Sequence, residues 1–438
     1  MLSWLLFISV ACVAGSSVKT PFRKPPHIVF ILVDDLGWAD TSLHGSAQIP
    51  TPNLDALAST GVILNNYYVQ PLCSPSRGAL MTGLYPAHNG IRMPLVGAQV
   101  AGLPLQFKIL PEHLKDLGYE THIVGKWHLG YFNLNYTPTY RGFDTFFGFH
   151  NGPIDYYRGI MEQEGHVGLD FWNGTCALPL KERTYATARL QDHAKSIIAN
   201  RNTSKPLFLY LAHQAVHSVY SPEFLQAPVE NTKKFPYIRD SSRKILAGGD
   251  VQNLGPLDGI DMWQSLSTGG PSPRIEVLLE FNNETDRAAL RYLNHKIVLG
   301  TFSDEVSKRY EVIGGVRPGI DLDALQRNSK AGRVLKRFYG NPQLFLQGFD
   351  KSWRRRATVR CNEHGRTNFN SSSKVFLFDL ESDPCELRNL ADSNVTLLTD
   401  LSVKLGAYLC TLRPEINKEI DPKGFPENNH GVWAPWII

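Results

Sequence analysis

The chain has 438 residues, 42% of them apolar and 20% charged, enough to bury a large core in two domains or in one large domain with a small appendage. A formal net charge of +4 is too small and too dispersed to indicate a nucleic-acid partner, and it would not repel an anionic substrate. No internal repeat or low-complexity tract breaks the chain, so the motifs have to be read in order.

Residues 1–16 open MLSWLLFISVACVAGSS, an apolar run ending in small residues, and read as a secretory signal peptide too short to span a bilayer. No later stretch has the length and apolarity of a membrane helix. Sequons at Asn135, Asn173, Asn202, Asn283, Asn370 and Asn394 agree with passage through the secretory route. Without the leader, Cys73, Cys176, Cys361, Cys385 and Cys410 form an odd set for an oxidising compartment, so one is expected to be unpaired; four cysteines apart from Cys73 allow three full pairings.

The elements that follow alternate between strand and helix. HIVFILVDD (27–35) is a continuous apolar run ending in Asp34 and Asp35, the pattern of a buried parallel strand that delivers acids at its C-terminal edge. Pro52 opens a helix closed by Gly61. A helix at 111–117 leads into the strand-like YETHIVG, and the amphipathic YATARLQDHAKSII (185–198) leads into PLFLYLA (206–212). This alternation predicts an α/β fold with a doubly wound, mostly parallel sheet over residues 25–269. From about 270 to 438 the shorter runs IEVLLEF, HKIVLGTF and KVFLFDL predict a smaller antiparallel sheet with the helix 397–409 packed on it. WRRR (353–356) reads as a solvated face.

CSPSRGALMTG (73–83) places Cys73 at the mouth of a helix, where free backbone N–H groups and the helix dipole favour negative charge and Arg77 returns one turn later. On its own such a cysteine is a buried hydrophobe, half of a disulfide or a nucleophile. GYETHIVGKWHLG (118–130) brings Lys126 and His128 just past a strand, and LAHQAVHSVY (211–220) does the same for His217. C-x-P-S-R followed by L-M-T-G resembles the signature of the type I sulfatases, and the Lys126 and His128 segment resembles the family's second signature. Two such motifs in the family's order carry more than either alone. Within the family, PLDGIDMW and the GVWAPW close (431–436) look most like arylsulfatase B and its invertebrate relatives.

The resemblance implies a sulfuric ester hydrolase in which a formylglycine-generating enzyme oxidises Cys73 to formylglycine, and one divalent ion, Ca²⁺ or Mg²⁺, is held by Asp34, Asp35 and the modified Cys73. A hydroxyl of the hydrated aldehyde would attack sulfur, Arg77 and Lys126 would clamp the sulfuryl oxygens, His128 and His217 would be the active-site histidines, and one of them would protonate the leaving group. The implied substrate is a sulfated small molecule or a glycosaminoglycan-type sugar, and the implied location lysosomal or secreted. One departure stands out. The family's Asp-Asn pair and the lysine after it are missing: no Asp-Asn dipeptide occurs, and KILAGGDVQNLGPLDG (244–259) joins the two flanks directly, so the first domain reads as shortened near 247–255. Calcium prefers six to eight oxygens at about 2.3–2.6 Å, and Asp250, in a Gly-rich junction, is a poor substitute. A pseudosulfatase or splice variant that binds sulfated glycans without turnover is therefore the alternative. A phosphoesterase of the same superfold is a further one, against which C-x-P-S-R counts. PIDYYRG (153–159) and FWNGT (171–175) carry aromatics that are core or sugar-stacking residues.

Overall fold

The computed structural model describes residues 25–180, 184–220, 223–238, 265–266, 269–282, 286–300, 319–338, 352–359, 368, 370 and 373–437. The leader, Asn283, Cys361, Asp250 with the 247–255 junction, and most of PLDGIDMWQSL lie outside them.

The first eight strands are β1 (Ile28–Leu32), β2 (Glu120–Lys126), β3 (Thr145–Phe149), β4 (Ile160–Gln163), β5 (His166–Leu169), β6 (Trp172–Asn173), β7 (Cys176–Ala177) and β8 (Leu207–Ala212). Six of them form one sheet in the order β1-β8-β2-β3-β6-β7. The first four of that order are parallel and the last two antiparallel, while β4 and β5 make a separate hairpin. Strand β8, LFLYLA, is buried at every residue. Its alternation explains the unbroken apolar run: Phe208, Tyr210 and Ala212 enter one core with Leu80, Met81, Ile109 and Leu114, and Leu207, Leu209 and Leu211 enter a second with Leu190 and Ala194. The two faces are thus covered by the helices Cys73–Thr82 and Leu110–Asp116 on one side and Ala186–Asn200 on the other. Each large side chain so buried contributes about 1.5–3 kcal/mol.

β1 departs from its expected place. Its apolar run matches a central strand, yet among the described residues it pairs only with β8 and forms the sheet's edge, with Val29 44% exposed.

The second sheet is antiparallel, in the order β12-β11-β10-β9, from β9 (Glu276–Asn282), β10 (Arg287–Tyr292), β11 (His295–Leu299) and β12 (Val375–Asp379). The helix Val395–Leu409 packs Leu401 and Leu405 onto Leu278, Leu290, Ile297 and Leu377. β10 was not visible in DRAALRY because its apolar stretch is only three residues long between charged ones. The short helices Leu322–Asn328, Lys330–Phe338 and Ser352–Ala357 do not belong to this sheet; they gather on the helix Pro52–Thr60 and its surroundings. WRRR is accordingly not one solvated face. Trp353 is buried, and Arg354 donates to Asp55, Asp323, Gln326 and the Ser42 carbonyl, leaving only Arg355 and Arg356 exposed. Past the final helix the chain runs back over the larger unit, where Ile416 and Val432 pack on the first core and Trp433 in the second.

Candidate active site

The C-terminal ends of β1, β2 and β8 lie side by side; Lys126 ends β2, and the loops leaving these strands hold Asp34, Asp35, His128 and His217. Asp34 follows β1 and is tied to the loop after β8 by its backbone, its N–H donating to Ala215 O (3.3 Å) and its carbonyl accepting from Val216 N (2.8 Å). Lys126, the last residue of β2, donates to Asp34 Oδ2 at 2.6 Å. Arg77 donates through Nη2 to Asp34 Oδ1 (3.2 Å) and through Nη1 to the Lys126 carbonyl (3.0 Å) and the Tyr210 hydroxyl (3.4 Å). All three charged groups are buried. Burial alone would raise the Asp34 carboxyl, but Lys126 and Arg77 hold it well below the usual carboxylate range. Two buried cations against one anion leave a net positive centre.

Cys73 is the first residue of its helix, partly exposed and not in a disulfide. Arg77 lies one turn on, on the same helix. Ser74, fully buried, fixes this end of the helix by accepting from Leu95 N at 3.1 Å. The Leu95 carbonyl faces His128 Nε2 at 2.7 Å. A carbonyl only accepts, so Nε2 carries the proton and Nδ1, buried without a partner, presents its lone pair. Burial, and then Lys126, push the His128 imidazole well below its ordinary value, so it is neutral at neutral pH. His217 is oriented the other way: Nδ1 donates to Ser218 O at 2.6 Å, which turns Nε2 toward Asp35 Oδ2 at 3.6 Å. Asp35 and His128 both adopt left-handed backbone, at φ 59° and 58°, a conformation rare outside glycine.

Asp34, Arg77 and Lys126 are therefore in direct contact, Asp35 faces His217, and His128 is joined through Leu95 to Ser74, the neighbour of Cys73. The sequence did not draw attention to Tyr210 or the Leu95 carbonyl, which orient Arg77 and His128. It also passed over His213 and His150, two further buried histidines at strand ends, held neutral by burial with values down to about 4 and about 3. Their only signal was a position just after a strand. Among the described residues Arg77 Nε, His128 Nδ1 and His213 Nδ1 are buried with no hydrogen-bond partner, the mark of a site built for a polar ligand.

Fit to a divalent metal is poor on the residues described. Both Asp34 oxygens are engaged by cations, Asp35 is largely exposed and faces His217, and no group of three or more His, Cys, Asp or Glu side chains among the described residues is placed to hold an ion. The cysteines differ from full pairing: Cys176 and Cys410 are free and exposed, while Cys385 is disulfide-bonded. The candidate specificity aromatics Tyr156, Phe171 and Trp172 are core residues, with Tyr156 stacked on Tyr185.

Comparison with known proteins points one way. Residues 26–288 match the protein-family model described as Sulfatase. Mouse arylsulfatase J is 29% identical over 95% of this chain and 81% of its own length. That alignment runs over 517 positions, more than the 438 residues of the chain, so the relative carries residues that this chain lacks. Dog N-acetylgalactosamine-6-sulfatase is 33% identical over 55% of the chain, which spans about half (48%) of that relative. Among solved structures, Ps i-CgsB in complex with k-i-k-neocarrahexaose superposes with a TM-score of 0.62 at 21% identity, covering 90% of this chain and 94% of that one, a likeness of fold.

Proposed function

The chain belongs to the sulfatase family of sulfuric ester hydrolases, and from that membership we propose that it cleaves sulfate esters of sugars at the centre formed by Cys73, Arg77, Lys126, His128 and His217. The observation that carries this reading is the buried Arg77–Asp34–Lys126 cluster beside an unpaired cysteine at a helix N-terminus. A sulfate ester bears one negative charge, and the cluster supplies a fixed, net positive, water-poor seat for it, where such contacts count most. Formylglycine made from Cys73 by a formylglycine-generating enzyme would supply a hydrated aldehyde, one hydroxyl of which is the nucleophile and the other the means of release. A free, partly exposed cysteine with no disulfide suits that modification.

The remaining roles follow from protonation. His128 Nδ1 has a lone pair and accepts a proton from a hydroxyl at position 73. His217 Nε2, turned toward Asp35, is the group placed to give a proton to the departing alcohol. Arg77 and Lys126 orient the sulfuryl oxygens, and Asp34 holds both cations in place. A divalent ion against Asp34, Asp35 and position 73 belongs to this reading only if the Asp34 oxygens, engaged here by Lys126 and Arg77, are released to it. A sulfated amino sugar is the substrate class suggested by the name of the dog relative. A lysosomal or secreted location rests on the apolar leader and the sequons; no helix among the described residues is long and apolar enough to cross a membrane.

The engaged Asp34 carboxylate favours one second reading, a protein that binds sulfated glycans without turnover. Hydrolysis of an aryl sulfate by the secreted protein, with and without added calcium, decides between them. We expect turnover that disappears in Cys73→Ala, together with a peptide mass showing an aldehyde in place of the thiol at position 73. An unmodified thiol and no turnover at any calcium concentration would leave the binding reading standing.

A further inference from the structure

The charge of the chain is less dispersed than its sum suggests. The nine-residue helix Lys330–Phe338 carries Lys330, Arg333, Lys336 and Arg337, as many positive charges as the net +4 of the whole protein, and no acid occurs between residues 324 and 338. At 100° per residue Lys336, Arg333, Arg337 and Lys330 fall on one continuous arc. All four are exposed, and none forms an ion pair among the described residues. Two sit in the last turn, where they complement the helix dipole, but that does not account for Lys330 and Arg333 in the earlier turns. Beside the arc Val334 is 63% exposed and Phe338 81%.

The helix is held rigidly. Ala331 N donates to Asn53 Oδ1 at 3.0 Å on the Pro52–Thr60 helix, and Gly332 N donates to Ser329 Oγ at 2.9 Å. A Cβ at Gly332 would lie 2.2 Å from the Gln326 carbonyl, so glycine is what lets the helix seat this closely on its neighbour. Arg355 and Arg356 are exposed on the Ser352–Ala357 helix, which is joined to the same group through Arg354 and its contacts with Asp323 and Gln326.

We propose that this basic helix is an anchoring surface, separate from the Cys73 centre, for a sulfated polysaccharide chain. The argument is charge complementarity: from Lys330 to Arg337 the arc runs about 10 Å along the axis, a regular line of cations suited to a linear polymer with repeated anionic groups. A membrane surface is the weaker occupant, because two apolar residues are too few to bury a helix face in lipid. The choice of a sulfated polymer rests on the proposed sulfate-ester chemistry; the binding itself does not need turnover.

The test uses the full secreted chain, its triple variant Arg333→Glu/Lys336→Glu/Arg337→Glu, and a milder triple variant to Gln that leaves no new charge. Wild-type protein is expected to be retained on immobilised heparin and not on uncharged dextran. At about 0.15 M salt, the Glu variant should bind heparin about tenfold more weakly or worse, with the Gln variant in between, melting temperatures unchanged, and small aryl sulfate hydrolysis unaltered. Equal retention of all three proteins would overturn the proposal. So would a loss of binding to phosphatidylserine vesicles with heparin retention intact. A protein that holds heparin through this helix yet hydrolyses no aryl sulfate would support the anchoring surface while defeating the catalytic reading.

Discussion

At the scale of single residues, what counts is which side chains were buried charged and which were buried neutral. Asp34 belongs to the first kind. Its folded carboxyl is held below its unfolded value, so its contribution is complete above the ordinary carboxylate pKa of about 3.9 and is lost only as pH falls through the lowered folded value. The motifs brought out Asp34, Arg77, Lys126, His128 and His217 because each stands just after a strand or on the helix turn behind Cys73. Their mutual contacts were not legible, since hydrogen-bond partners 43 to 133 residues apart leave no trace in spacing. His150 belongs to the second kind. It lies among Tyr131, Phe146 and Trp172, neither ring nitrogen has a hydrogen-bond partner among the described residues, Nδ1 stands 3.9 Å from the buried Asp170 Oδ1, and burial lowers the imidazole to about 3. Between about 6.5 and about 3 the unfolded chain binds a proton here that the folded one does not, so stability falls on acidification across that window. His150→Phe keeps the aromatic packing and removes the proton. Thermal unfolding followed against pH should show the variant's slope smaller by about 1.4 kcal/mol per pH unit in the middle of the window; identical slopes would mean that His150 titrates normally in the fold.

Among the elements, β1 is where sequence pattern and environment disagree. IVFIL has no polar residue, the pattern of a strand covered on both faces with neighbours on both edges. The covering is present for Ile28, Phe30 and Leu32 on the first core and for Ile31 on the second, but the second neighbour is not present among the described residues. The sequence records the sheet for which the strand is suited, and the expected shortening near 247–255 does not say which strand stands at the edge. An apolar edge strand invites pairing with other chains. Val29→Lys should therefore cost within about 0.5 kcal/mol, as for an exposed site, and should slow the growth of light scattering on storage. A loss of 2 kcal/mol or more in chemical denaturation would place Val29 under cover that the described residues do not provide.

For the molecule as a whole, the second unit is not a separate body appended to the first. The helices on Pro52–Thr60 and the tail beyond residue 410 both return to the larger unit, so the strand pattern that divided the sequence near 270 located the second sheet but not the path of the chain around it. The tail holds by burial. Trp433 is fully buried against Leu169, Met161 and Phe425, donates its indole N–H to Met161 O at 3.2 Å, and its backbone N–H pairs with Leu169 O at 2.9 Å. Gly97 is packed so closely on the indole that a Cβ there would lie 2.7 Å away. Removing the ring leaves a cavity between two segments more than 260 residues apart and takes the indole donor away from the Met161 carbonyl. Trp433→Ala is accordingly expected to destabilise by about 3–5 kcal/mol, of the order of half a domain's net stability, although it touches no residue of the candidate site. Denaturant midpoints give the loss directly. If the tail were merely draped over the surface, the midpoint would hardly move, and the dependence of the larger unit on the end of the chain would have to be given up.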